Sequence, residues 1–477
     1  MTAEIQTDLA PLLERCFLFD ATEDSYEMTG ITGRIPEWLR GTYYMNGPAR
    51  FERAGMRYKH WLDGDGMICA IRFGQGGVRF TNKFVGTAKL KDEEEAGKFI
   101  YRAFGTAWPG DKLRRSVMLE PPKNVSVYPY GGKLLAFGEQ AMPMELDPVT
   151  LETKGYYDFN GALNEVTPFA AHAKTDPANG NLLNFGVSFS MTEPMLNVFE
   201  FDHCGCLLRR RRHKLQYQHA VHDFGFTPNY VAFYLSPLIM DFQRFWAEGV
   251  SVMESLKWEP EKGSVIFVAP RSVKEPGFRV DVPPCYCLHL INCFEENGLL
   301  MVDVLEMDRP IYVEYQPVPD LFPTASACRP VRFVIDPVKQ LLVERIAMTY
   351  DLAPDFPSTG AHLSGAKYDT FWVLGIGANG LRGRKFFDQL VKGSWKAGDI
   401  CDKWIAPHGE YLGGEPVAVM NPANPEEAVV ICVHAIPAED RCEYLIFDGH
   451  SLSAGPIARL PLKHKIHAGF HTSFHFE

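Results

Sequence analysis

Four histidines, His172, His222, His289 and His471, are separated by 50, 67 and 182 residues, and each sits in a short strand-like run. Their contexts are Ala171-His172-Ala173-Lys174, His222-Asp223-Phe224-Gly225, His289-Leu290-Ile291-Asn292 and Gly469-Phe470-His471-Thr472. Neutral imidazole is a common metal ligand, but these separations exclude a zinc finger or an i,i+4 helical pair. A metal shared by the four must be assembled by folding. Imidazoles alone suit iron, copper, zinc or nickel by softness, so affinity does not choose the metal. A four-histidine ferrous site would leave coordination positions free for dioxygen. It would also call for carboxylates bonded to the other ring nitrogens. Glu139, at the end of Leu134-Leu-Ala-Phe-Gly138, Asp355 in Asp-Phe-Pro, and Glu415 in Glu-Pro-Val are candidates.

Other chemistry-bearing residues read as structural. His219 lies three positions before His222, an odd offset that reverses the side chain on a strand. His467 and His475 lie four positions from His471, about 13 Å along a strand and too far to share a metal. His60, in His-Trp-Leu-Asp-Gly-Asp-Gly, reads as structural, with Gly64 and Gly66 serving a tight turn. The eleven cysteines show no disulfide rhythm, and the first residues lack a basic and apolar leader, which points to a reducing cytoplasm. Cys204/Cys206 and Cys285/Cys287 lack the second pair a zinc site needs. Gly375-Ile-Gly377-Ala-Asn-Gly380 matches a dinucleotide fingerprint. The downstream Phe386–Lys392 reads as another strand rather than the helix of a βαβ unit, so the glycines are assigned to a turn.

Positioning such distant histidines requires a closed architecture. Short β-type runs alternate with Gly, Asp, Pro and Asn turn signals along the chain, as in Asn124–Glu139 around Gly131-Gly132, Met144–Glu152, Lys174–Leu183, Phe333–Leu342 and Tyr444–Leu452. The chain is all-β, and repeated strand-turn-strand units are what a β-propeller with degenerate blades produces. Its inner strands face one axis, where one histidine from each of several blades can meet. Helical patterning is confined to Lys91–Tyr101 and Asp241–Leu256, read as a cap over one face. The chain is read as one propeller domain over 1–477. A net charge of −11 argues against a nucleic-acid partner, and the Arg209–Arg212 run reads as a charged edge strand. No stretch reaches the roughly 18 apolar residues of a spanning helix. The segment 231–246 has two readings, a peripheral membrane contact or a packed core segment.

The residues resemble the carotenoid cleavage oxygenases over nearly the whole chain. The resemblance rests on Gly41–Pro48, His60–Met67, all four histidine contexts, Lys257–Pro260, Gly414-Glu415-Pro416 and the final Gly-Phe-His. It implies a seven-bladed propeller with a dome over one face. His172, His222, His289 and His471 would bind Fe(II) as the catalytic centre, with dioxygen as co-substrate and no flavin or nicotinamide. Glu139, Asp355 and Glu415 would orient His222, His289 and His471, leaving His172 without an acidic partner. Asp355 stands where the family usually has Glu, one methylene longer, so contact with His289 is expected through water or with a shifted ring. The implied reaction is scission of an alkene into two carbonyl products. Stilbene-cleaving members usually carry Lys immediately before the first acid. Gly138 stands there, which favours a carotenoid or apocarotenoid over a hydroxystilbene or related phenylpropanoid. Pro121-Pro122-Lys123-Asn124 replaces a stretch where many relatives carry a small hydroxyl residue. An isomerase using the same iron, or a non-catalytic propeller, are the other readings. The sequence sets neither the oligomeric state nor the bond cleaved.

Overall fold

The computed structural model describes residues 10–477 except 115–117, 189, 191, 272–274, 314, 319, 323–324 and 378–385. Seven antiparallel sheets form the blades of a β-propeller. From the axis outward each begins with an inner strand: Thr472–Phe476 in blade 1, Ser126–Tyr130 in blade 2 and Lys174–Thr175 in blade 3. Gly225–Phe226, Tyr286–Glu296, Asp355–Ser358 and Tyr411–Asn421 follow in blades 4 to 7. Blade 1 closes the ring, because its inner strand comes from the far end of the chain and pairs with Gly41–Ala49 in register Met45↔Thr472.

The apolar runs are near-continuous because both faces of a middle strand are covered. In Tyr230–Leu235, Val231, Phe233 and Leu235 pack toward Phe185 and Val198 of blade 3. The intervening Ala232 and Tyr234 pack toward Leu290, Val302 and Phe333 of blade 5. Alternate residues of a strand point to opposite faces, so the core is a set of inter-blade layers. Outer strands show the complementary pattern. Leu207–Lys214 is the outermost strand of blade 3 and carries Arg209–Arg212 in half-exposed alternation, Arg209 paired with Glu200 at 2.7 Å. This is the charged edge expected from the sequence.

Helical elements are shorter than their patterns suggest. The first spans Ala88–Ala96 rather than Lys91–Tyr101, because the Thr87 side chain accepts the Leu90 N–H and Gly97, at φ 64°, ends it in the left-handed region. The 241–256 stretch divides into a π-helical turn, Arg244–Glu248, and a short α-helical turn, Val252–Ser255. Gly249 at φ 72° stops the first, and a Ser251–Glu254 capping box starts the second. Within 231–246, the first half is a buried blade strand, whereas Met240, Phe242, Phe245 and Trp246 border a cavity. Trp246 is 37% exposed. No helix among the described residues is long and apolar enough to cross a membrane.

The glycine fingerprint is not a nucleotide loop. Thr370–Gly375 pairs antiparallel with Gln389–Ser394, which excludes a parallel βαβ unit there. The second strand starts three residues later than expected, and Gly380 lies outside the described residues. All eleven cysteines are free, and Cys204 and Cys206 lie in an exposed turn.

Candidate metal centre

Each blade delivers one residue to the axis. His172 and His222 directly precede or approach the inner strands of blades 3 and 4, His289 lies within that of blade 5, and His471 precedes that of blade 1. Glu139 follows the second strand of blade 2, Asp355 opens the inner strand of blade 6, and Glu415 lies in that of blade 7. The ligating atoms of the four histidines all lie within 4.8 Å of one another. His222 Nε2 is 3.0 Å from His172 Nε2 and 3.2 Å from His289 Nε2. Neutral nitrogens gathered this closely around a point gain from a shared cation. Burial and the facing imidazoles of His471 and His222 hold the His172 pKa well below its ordinary value, which favours the neutral, ligating form.

The outward nitrogens meet acids. Glu139 Oε1 lies 2.6 Å from His222 Nδ1, Asp355 Oδ1 2.5 Å from His289 Nδ1, and Glu415 Oε2 3.2 Å from His471 Nδ1. The His289 and His471 contacts are hydrogen bonds, whereas Glu139 lies beside His222 Nδ1 as a close ion-pair contact, and in all three rings Nε2 is left free to bind. The shorter Asp355 reaches His289 directly, contrary to the water-mediated or displaced contact expected from its length. Its backbone is brought close by an irregularity in the strand pairing between Asp355 and Ser358, and Phe356 adopts φ 56°. The Phe356 N–H also donates to Asp355 Oδ1 at 2.9 Å. Burial raises the Asp355 pKa, but His289 and these hydrogen bonds outweigh it and keep the carboxyl below its ordinary value.

His172 also has an acid nearby, which the sequence reading missed. Asp223 Oδ1 lies 3.5 Å from His172 Nδ1 and 2.9 Å from Lys174 Nζ. The signal was present, since Asp223 follows His222 and Lys174 sits two positions beyond His172, the same-face spacing of a strand.

The remaining histidines stay apart from the cluster. His219 is not on a regular strand, so the face argument does not apply to it. It is held by a 2.8 Å contact from Nδ1 to the Ser236 carbonyl. His467 contacts the Phe17 carbonyl through Nε2 at 3.0 Å and stacks on Phe19, while His475 is exposed. His60 caps the turn Trp61–Asp63 in a reciprocal box with Asp63. Gly64 and Gly66 serve close approach rather than a tight turn. A Cβ at Gly66 would stand 2.4 Å from the Lys123 carbonyl oxygen, and one at Gly64 2.7 Å from that of Ala49.

Cavities reach the cluster from both sides. Residues preceding the histidines, including Val221, Leu288 and Phe470, border two apolar chambers walled by Phe104, Phe242, Tyr312 and Phe356, with His222 reached from both chambers. Residues following them, including Lys174, Phe224, Asn292 and Thr472, border a third cavity, more polar than the two chambers, that reaches His172. Pro121, Pro122 and Asn124 line the first chamber. Lys123 turns away, buried, and donates to the Met142 carbonyl.

A model of the retinal pigment epithelial membrane protein family, RPE65, matches residues 19–475. The chain belongs to the RPE65/carotenoid oxygenase family. Like its relatives, which are named oxygenases, it is an oxidoreductase, and those related oxygenases cleave C=C bonds. Within the RPE65 family it is similar to the apocarotenoid-15,15'-oxygenase of Synechocystis, 30% identical with 95% of this chain and 94% of that one covered. It is also similar to the isoeugenol monooxygenase of Pseudomonas putida, 28% identical with 92% and 93% covered. The cobalt-substituted Synechocystis ACO structure superposes with a TM-score of 0.89 over 98% of this chain and 99% of that one, at 27% identity. The four-imidazole cluster fits a metal site of this family.

Proposed function

We propose that this protein is an Fe(II)-dependent dioxygenase that cleaves one C=C bond of a carotenoid or apocarotenoid into two carbonyl products. The observation that carries the reading is a cluster of four imidazoles opening onto apolar chambers on the His222 side. His172, His222, His289 and His471 would hold the iron through Nε2, with Glu139, Asp355 and Glu415 fixing the tautomer of three of them. Bound iron would supply the binding and activation of dioxygen. The protein's part is to keep the ligands neutral, leave coordination positions open, and hold an apolar chain beside the metal in a water-poor chamber. Phe104, Phe242 and Tyr312 provide that wall.

The polyene reading is favoured over a hydroxystilbene by what surrounds Gly138. Gly138 has no side chain, so the position beside Glu139 supplies no cation, and a Cβ there would already stand 3.2 Å from the Lys123 Cα and backbone nitrogen. Three cations that border the first chamber are already paired, Lys89 with Asp65, Arg102 with Asp111 and Arg114 with Glu120. Similarity to the isoeugenol oxygenase keeps a phenylpropanoid alkene as the second reading. Trp246, partly exposed at the edge of the first chamber, is the contact through which the enzyme would collect a lipid-soluble substrate at a membrane surface.

The test is anaerobic loading with Fe(II), then labelled dioxygen with a panel of carotenoids, apocarotenoids, stilbenes and isoeugenol, with products read by mass. Labelled aldehydes from an apocarotenoid are expected. A hydroxystilbene turned over faster than every apocarotenoid would overturn the ranking, and an isomerised but unlabelled product would identify an isomerase.

A further inference from the structure

Asp223 is a buried carboxylate that the three histidine-acid pairs do not use. It is 3% exposed, and a buried charge must be paired to persist. Its Oδ1 accepts the Phe224 N–H at 2.8 Å, holds Lys174 Nζ at 2.9 Å and faces His172 Nδ1 at 3.5 Å. Its Oδ2 accepts the Leu290 N–H at 2.9 Å. The residue therefore touches three histidine segments at once: it follows His222 in the chain, binds the backbone beside His289 and faces the ring of His172.

We propose that Asp223 is the positioning residue for His172, and that Lys174 limits how much negative charge Asp223 lends to the centre. The inference rests on the reading of the four histidines as a metal centre. The other acids approach their rings at 2.5, 2.6 and 3.2 Å, so the 3.5 Å contact is the loosest of the four. Lys174 draws on the oxygen that faces the ring, which leaves His172 the weakest electron donor. A carboxylate behind a ligating imidazole strengthens the metal bond, whereas a cation on that carboxylate weakens it. The two residues of one ion pair therefore act on the metal in opposite directions.

Opposite action separates this role from a structural one. Co(II) titration of the full chain against a competing chelator, followed by the visible spectrum of the bound ion, measures it. Asp223→Asn keeps one backbone acceptor and loses the charge, and about 10- to 100-fold weaker Co(II) binding is expected. Lys174→Met should bind Co(II) as tightly as the parent or more tightly, with a spectrum shifted opposite to that of Asp223→Asn. If both variants weaken binding alike and melt equally lower without metal, the pair is merely structural and the proposal fails. Parent-like affinity in Asp223→Asn also overturns it. If the parent chain binds no Co(II), the metal reading itself falls, and this inference with it.

Discussion

The two sides of the histidine cluster are built for different tasks. On the side reached by residues preceding the histidines, the walls are aromatic and aliphatic, His222 is accessible, and the bordering cations named above are paired. On the other, Lys174, Asp223, Glu415 and Asn292 give a polar lining, and His172 is reached from that side. The difference teaches that the four imidazoles act as a septum. The proposed substrate chemistry would use the apolar side, while the acids behind the ligands are divided, Glu139 and Asp355 bordering the apolar chambers and Asp223 and Glu415 the more polar cavity.

Removing the septum has the largest effect. His222→Ala should lose both metal and activity, falling from about one metal ion per chain to a small fraction of that by elemental analysis. Undiminished metal content would break the ligand assignment. Asp355→Asn comes next, with about 10- to 100-fold lower metal affinity or turnover, because the Nδ1–H of His289 loses its anionic acceptor. A single charge tests the asymmetry directly. Val187→Asp, in the first apolar chamber, should raise KM for an apolar substrate about tenfold or more, since that chamber would then have to bury a carboxylate. Ala361→Asp, exposed on the polar side, should leave KM within about twofold of the parent, the usual small effect of a surface change. Equal effects of the two would dissolve the distinction.

The smallest effect concerns Lys123, buried behind the apolar wall. Burial brings its pKa down from 10.5 to about 7, with Glu120 opposing part of the shift. Between those values the unfolded chain binds the extra proton, so the parent gains stability as pH rises, and below about pH 7 the folded state bears the full cost. Lys123→Met should therefore melt higher than the parent, with its advantage greatest below pH 7 and shrinking toward pH 10. An advantage independent of pH would show that packing, not charge, is responsible.

Much of this was legible in the sequence, for physical reasons. Strand periodicity and turn residues revealed an all-β chain, and spaced histidines pointed to an axis where strands converge. Family resemblance supplied the blade count and the three acid pairings. Helix limits were misplaced because caps at Thr87, Gly97, Gly249 and Ser251 set them locally, against a weak apolar pattern. The reach of Asp355 depended on a backbone irregularity that side-chain length does not encode. Asp223 was overlooked because its partners come from three separate segments, a juxtaposition produced only by the closed ring.

That closure also orders events in time. Blade 1 takes its inner strand from beside His471, paired with a strand that begins at Gly41, so the most sequence-distant contacts of the fold are among those that complete the histidine cluster. Such contacts carry a high loop-closure cost and form slowly. A chain still emerging from the ribosome can present three of the imidazoles but not the fourth. A metal held by all four imidazoles would therefore bind only after the ring has sealed, so its binding energy would add to the stability of the closed ring.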